Sequence, residues 1–205
     1  MHKSVENFRI RTLEIAGLAG ALQALRLPFG KECRSYTFGS KETYSPAIEQ
    51  AFPEDTSCYD GITFTTQILL HSKDKDLIKT LIKRGDEHAK VLRGVMVWCE
   101  INAPRYWHAE LDTYRIGCER LSSESTMHIE GRGLSEDELI EMKENLKEGH
   151  MQKRVWMFSY QTLRRIYFQR RNHRLPQWRK FCEWIETLPF AKEFITIDGT
   201  DNSDK

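Results

Sequence analysis

The sequence predicts a mixed α+β domain, and three observations lead there. Apolar residues recur at helical spacing in several segments, two other segments have strand composition, and the chain is long enough to bury one core. Its 205 residues are 40% apolar, 11% aromatic and 30% charged, the composition of a globular protein and not of a disordered one. One domain is expected over residues 1–197, followed by a small polar tail at 198–205 that is expected to be disordered.

Taken in order, residues 10–27 place Leu13, Ile15, Ala16, Leu18, Leu22, Leu25 and Leu27 at helical spacing, closed by Pro28 and Gly30. Residues 28–61 are rich in Gly, Ser, Thr, Pro and Tyr and read as a long loop. Residues 62–70 have strand composition. Residues 73–85 read as a helix with basic residues in its last turn and Gly85 beyond. Residues 91–101 look like a buried strand, and Pro104 opens a helix that runs to about Tyr114. Residues 119–128 are polar and rich in hydroxyls. Ser135 with Glu138 forms a capping-box signature for a charged helix to about Lys147. Nothing is assigned between Gly149 and Ser159. A cationic helix follows from Ser159 to His173, then a last one over residues 177–194 that Pro189 ends or kinks.

Composition also excludes classes of function. No apolar run approaches the length of a membrane span, and the N-terminus shows no secretory h-region, so a cytoplasmic protein is expected. Cys33, Cys58, Cys99, Cys118 and Cys182 are odd in number and widely spaced, which fits reduced thiols and neither a disulfide framework nor a zinc site. The seven histidines show no metal-ligand spacing, and no metal is expected. No phosphate-loop, nucleophile-elbow, dinucleotide or zinc-protease motif is present.

Two tracts remain for chemistry. Residues 112–126 bring a tyrosine and an arginine up to a run of hydroxyls, the usual neutral ligands of phosphate. Between Tyr160 and Lys180 lie seven basic residues and no acidic one, although net charge over the chain is only +1. Arginines on every face of a helix without acids at i±4 must meet acidic surface elsewhere, such as the charged helix 136–148, or an anionic ligand.

The order of these segments resembles the flavin-dependent thymidylate synthases. Gly85-Asp86-Glu87-His88 precedes the strand at 95–101. Thr113-Tyr114-Arg115, seven residues and Ser123 stand where the family has Arg-His-Arg, seven residues and Ser. Thr162-Leu163-Arg164, then Arg171 to His173 and Gln177-Trp178, follow as the family's Asn-Leu-Arg helix does. The resemblance covers residues 75–195. It implies a central antiparallel or mixed sheet packed by helices, a homotetramer, and FAD at subunit interfaces beside deoxyuridine monophosphate (dUMP), with reduced folate and NADPH as co-substrates. It further implies flavin contacts from Tyr114, Arg115, Thr162 and Arg164, and phosphate contacts from Ser122, Ser123 and Ser125. Arg171, His173 and Arg174 fall to the nucleotide. Ser123, Arg171 and His173 are the implied catalytic set.

Departures from the family pattern are specific. Thr113 and Tyr114 replace Arg and His, and Leu121 replaces a glutamate. Ser125 occupies the place of a phosphate-binding arginine, and Arg93-Gly94 occupies that of a histidine. Each lost charged hydrogen bond removes about 1.5–3 kcal/mol of binding to the original ligands. The tract 122–128 fits a distinct branch, such as phage-borne relatives. Three functions stay open: flavin-dependent methylation or hydroxymethylation of a pyrimidine deoxynucleotide; non-catalytic nucleotide binding on the same scaffold; and nucleic-acid binding through the arginines. Near-zero net charge and the lack of an aromatic stacking platform weigh against the last.

Overall fold

The structure is a computed structural model that describes residues 2–31, 36–38, 63–64 and 67–198. Most of the predicted 28–61 loop, Cys33, Cys58 and the tail from 199 lie outside the described residues. The strands are β1 (Arg9–Ala16), β2 (Tyr36–Phe38), β3 (Thr63–Phe64), β4 (Gln67–Leu69), β5 (Met96–Pro104), β6 (Cys118–Ser123) and β7 (Met151–Ser159). Five of them form one sheet in the order β3-β1-β5-β7-β6, antiparallel except for the β1–β3 edge, while β2 and β4 pair separately.

The helix expected over residues 10–27 is instead a strand and a helix. β1 runs to Ala16, and helix α2 (Leu18–Leu25) follows the short α1 (Lys3–Glu6) in the chain. A bulge at Leu13 between Thr12 and Glu14 breaks the alternation of β1. Its apolar residues therefore merge with those of α2 into one false helical period. Gly17 makes the corner at φ +86°, and a Cβ there would lie 2.0 Å from the Gly94 carbonyl oxygen, so no other residue fits.

β5 shows why the sheet has one covered face. Val97, Cys99, Ile101 and Ala103 are fully buried, while Met96, Trp98, Glu100 and Asn102 between them are only half-buried. β7, to which no element is assigned from sequence, is the central neighbour of both β5 and the edge strand β6. On its covered face it places Gln152, Arg154, Trp156 and Phe158, and the two polar residues at its start hide the alternation.

The helices that cover this face are α4 (Arg105–Leu111), α7 (Tyr160–Arg170), α8 (Pro176–Glu186) and α9 (Ala191–Phe194), numbered after α3 (Ser72–Lys83), α5 (Thr126–Ile129) and α6 (Glu136–Glu144). Trp107, Trp178, Phe181 and Phe158 make the aromatic centre: Trp107 and Trp178 lie 4.7 Å apart, and Phe158 and Phe181 5.9 Å. α4 stops three residues short of Tyr114, with Pro104 as its N-cap and not in its first turn. The 91–101 strand starts only at Met96, after a 3₁₀ turn at Lys90–Arg93. Ser135 and Glu138 make the expected capping box on α6, which ends at Glu144. The predicted 177–194 helix is divided at Pro189 into α8 and α9. Cys99, Cys118 and Cys182 are buried free thiols, and burial raises Cys118 to about 11 and Cys182 to about 12. No described helix is long and apolar enough to cross a membrane.

Candidate functional site: a two-sided polar ladder on α4

Two carboxylates near the end of α4 organise the charges around it. Asp112, just past its last residue, accepts from Arg154 Nη1 at 2.9 Å and from Arg120 Nη1 at 3.2 Å. One carboxylate thus faces two guanidiniums and leaves one positive charge in excess. Glu110, two residues earlier and on the other side of the helix, accepts from Trp178 Nε1 at 2.7 Å and from Arg170 Nη1 at 3.4 Å. Under Asp112 lies His108, fully buried, with Nε2 donating to the Gln152 carbonyl at 2.9 Å.

The edge strand meets this ladder through a bulge. Arg120 pairs with Trp156, Ser122 with Val155 and Ser123 with Arg154, and the register shifts at Leu121. Residues three apart on a regular strand point to opposite faces. The extra residue at Leu121 turns Arg120 and Ser123 to the same face, beside Arg154 and Asp112. The Ser123 and Arg154 side chains start about 5 Å apart, as directly opposite residues do. Ser122 points to the other face with Val155. Ser125 is the N-cap of α5, its hydroxyl accepting from the His128 amide at 3.3 Å. Among the described residues no hydrogen bond or ion pair joins residues 122–125 to residues 163–174; Glu110 on α4 meets Arg170, and Asp112 just past it meets Arg120 and Arg154.

The flavin residues implied by the resemblance meet different fates. Arg115 is exposed and has no partner among the described residues. Tyr114 is half-buried: its hydroxyl donates to Gln169 at 2.9 Å and accepts from Arg170 Nε at 2.8 Å. Thr162 is buried inside the N-terminal cap of α7, donating to the Ile116 carbonyl at 2.6 Å and lying 3.0 Å from the Ser159 hydroxyl. Gly117, at φ +74°, permits this packing, since a Cβ there would sit 2.5 Å from Thr162 Oγ1. Arg164 donates Nη1 to the carbonyls of Ile195 and Ile197 at 2.7 and 2.5 Å. Arg93, where the family has a histidine, donates to Gln161 at 2.8 Å and to the Asp86 carbonyl at 3.2 Å, tying the 3₁₀ turn to α7.

The cationic helix is not neutralised from within. Among the described residues Arg170 forms an ion pair with Glu110, and Arg164 lies in the field of Asp86 and Asp198. Arg164 and Arg171 stack on opposite sides in sequence of Phe168, 4.7 and 5.0 Å from its centroid. Arg171 and Arg174 are exposed and form no ion pair among the described residues, and α6 makes no ion pair with α7. His173 contacts Arg170 at 2.9 Å and the Leu175 amide at 3.2 Å. An open cavity of about 600 Å³ lined by Met142, Asn145, Leu146, Lys147, Gly149 and His150 includes none of these residues.

Arg154 and Glu110 lie outside the two tracts that the sequence singles out for chemistry, and Arg120, Asp112 and Arg170 lie within them without being distinguished there. The signal for Arg154 was available: one arginine among alternating Gln152, Trp156 and Phe158.

No protein-family model matches the sequence, and no curated protein matches it. Solved structures do match the fold, which is that of the flavin-dependent thymidylate synthases. Thymidylate synthase X from Helicobacter pylori, solved with FAD and dUMP, superposes with a TM-score of 0.57 at 14% identity over 95% of this chain and 100% of that one. A flavin-dependent thymidylate synthase structure from the same organism, also complexed with FAD and dUMP, gives 0.57 at 16% identity over 92% and 98%.

Proposed function

We propose that this chain binds a pyrimidine deoxynucleotide monophosphate such as dUMP together with FAD, and catalyses flavin-dependent one-carbon transfer to the base, with reduced folate and NADPH as co-substrates. The observation that supports it most is the bulge that turns Ser123 toward Arg120 and Arg154, with one uncompensated positive charge on a partly open face. A phosphate monoester needs that combination of hydroxyl and paired guanidiniums. Arg120 and Arg154 there take over from the arginine that Ser125 replaces. Arg171 and Arg174, exposed and without an ion pair among the described residues, remain for the rest of the nucleotide with His173. Exposed Ile116 and Leu121 at the edge strand support assembly with further copies, a homotetramer in this reading, in the cytoplasm.

The residues present fit a flavin in part. Arg115 and the Tyr114 ring are placed to hold an anionic or aromatic portion of FAD, which when bound supplies the redox chemistry. Thr162, whose hydroxyl is used inside the α7 cap, does not fit and acts by shaping the loop at 116–117. For the nucleotide, Ser123, Arg120 and Arg154 hold the phosphate, while His173 orients and polarises the base.

A second reading, nucleotide binding without catalysis, is favoured by one specific observation: Thr162 and Arg164 are already committed to the protein's own carbonyls. An absorption spectrum of the purified protein, before and after FAD is supplied, separates the two. Flavin uptake supports the enzyme; a colourless protein that dUMP but not FAD stabilises against heat supports the alternative. Binding of DNA or RNA that weakens steeply with salt would favour nucleic acid instead.

The phosphate assignment has its own test. Arg154→Met is expected to weaken dUMP binding about 10- to 100-fold by calorimetry, the loss of about 1.5–3 kcal/mol for a hydrogen bond to a charged group. Deoxyuridine, which lacks the phosphate, should bind wild type and variant alike. Equal losses for both ligands, or no loss for dUMP, would remove Arg154 from the phosphate site.

A further inference from the structure

Asp112 holds a position that its helix disfavours. It is the C-terminal cap of α4, an end where the helix dipole favours cations, and its carboxylate is kept there by two guanidiniums. Arg154 Nη1 donates to Oδ2 at 2.9 Å, and Arg120 Nη1 reaches Oδ1 and Oδ2 at 3.2 and 3.3 Å. The two arginines thus share one oxygen, and neither pairs with a second carboxylate among the described residues.

The two guanidiniums are held differently. Arg154 is largely buried, its Nε donates to the Gln152 amide oxygen at 3.1 Å, and the Gln152 amide nitrogen donates to the Glu124 carbonyl at 2.6 Å. Burial lowers the Arg154 pKa, and the hydrogen bond to Asp112 is the largest influence the other way, so this carboxylate balances the charge within the chain. The Arg120 side chain is 47% exposed, and its guanidinium makes no other hydrogen bond among the described residues. Arg154 is the fixed arm and Arg120 the movable one.

A phosphate monoester carries close to two negative charges at neutral pH and competes with a carboxylate for the same N–H groups. We propose that Asp112 is a resident counter-anion that competes with the ligand's phosphate for Arg120 and Arg154, and so sets how tightly the site holds its nucleotide. The inference rests on the phosphate assignment made above and adds the regulation of that site. Binding exchanges one anion for another: Arg120 swings from the carboxylate to the phosphate, Arg154 keeps its bond to Gln152, and the Asp112 charge opposes the incoming ligand. Apparent affinity is lowered by the fraction of molecules in which the carboxylate holds the donors. A carboxylate that only positioned the arginines for the phosphate would act with the opposite sign.

The experiment is calorimetric titration of the full chain and of Asp112→Asn with dUMP, inorganic phosphate and deoxyuridine. Asparagine keeps an amide oxygen as acceptor for Arg154 and removes the charge. The variant is expected to bind dUMP and inorganic phosphate about tenfold or more tightly than wild type does, with deoxyuridine unchanged. Weaker or unchanged dUMP binding overturns the proposal, and so does an equal gain for deoxyuridine, which carries no phosphate. In both of those cases the phosphate site stands as long as Arg154→Met weakens dUMP binding selectively. If wild type binds neither dUMP nor inorganic phosphate, the phosphate site itself falls, and Asp112 has nothing to compete with. Should the variant not fold, NMR of the arginine side chains in wild type decides. The Arg120 Nε–H signal, identified by its loss in Arg120→Lys, should shift as dUMP saturates the protein, while that of Arg154, held by Gln152, shifts less. An Arg120 signal unmoved by bound dUMP overturns the proposal.

Discussion

Replacing Trp178 with alanine is expected to destabilise the fold by about 3–5 kcal/mol, the usual cost of emptying a buried aromatic site. The ring is fully buried and touches Trp107, Phe181, Tyr114 and His173, at centroid separations of 4.7, 5.8, 6.0 and 6.2 Å. Around it α4 and α8 are held by further ring contacts of Trp107 with Phe8 and of Phe181 with Phe158 and Trp184, which limit collapse into the space left. The indole nitrogen is the buried donor to Glu110, so the substitution also loosens the carboxylate that anchors Arg170. Trp178→Phe keeps most of the volume and loses the donor, at about 1–3 kcal/mol. Urea unfolding of the two variants against wild type measures both. An alanine variant within about 1 kcal/mol of wild type would mean that the core is not organised around this ring. For a domain that is stable by about 5–15 kcal/mol in all, the larger loss also threatens expression at 37 °C.

Trp178 is a case where sequence and structure agree, since with Phe181, Ile185 and Leu188 it falls at helical spacing within the last predicted helix, and all four are buried. The cationic helix, the charged helix with its capping box and the break at Pro189 were legible for the same reason: each is local, and helical period and cap chemistry are written within a few residues. The sheet was less legible. β1 was hidden by its bulge at Leu13, and β7 by Gln152 and Arg154, polar residues that a strand tolerates on a covered face only because Asp112 and neighbouring polar groups answer them. Those answering groups lie 28 and 42 residues away along the chain, beyond any window of periodicity.

The candidate site divides along the same line. Ser123 is singled out by its spacing from Arg115, which a single sequence displays. Arg154 belongs to the same cluster through strand pairing, which a lone sequence does not display. Thr162 and Arg164 were matched by motif, yet their side chains serve the α7 cap and the chain's own carbonyls. A motif match reports position along a helix; what the side chain meets is decided by residues such as Ile116 and Ile195 that no motif includes.

Acidification is expected to weaken the fold through His108. Its ring is buried against Trp107, its Nε2 proton is committed to the Gln152 carbonyl, and its Nδ1 has no partner among the described residues. A proton added at Nδ1 would enter a buried site with no acceptor among the described residues. Burial first, and then the nearby Arg154 and Arg120, hold the pKa down to about 4 from 6.5, against the opposing pull of the Gln152 carbonyl and Asp112. The neutral ring is thus favoured in the folded state, while the unfolded chain takes up the proton as pH falls through 6.5. Stability is unaffected above that value and declines by about 1.4 kcal/mol per pH unit below it until the folded ring itself titrates. The loss amounts to about 2 kcal/mol at pH 5 and about 3 kcal/mol at pH 4. Comparing urea unfolding of wild type and His108→Gln at pH 7.5 and pH 5 isolates this contribution from other titrating groups. The variant, whose amide can still donate to the Gln152 carbonyl, should lose about 2 kcal/mol less than wild type between the two conditions. Equal losses would show that water reaches the ring, and that the floor beneath the Asp112 ladder is open.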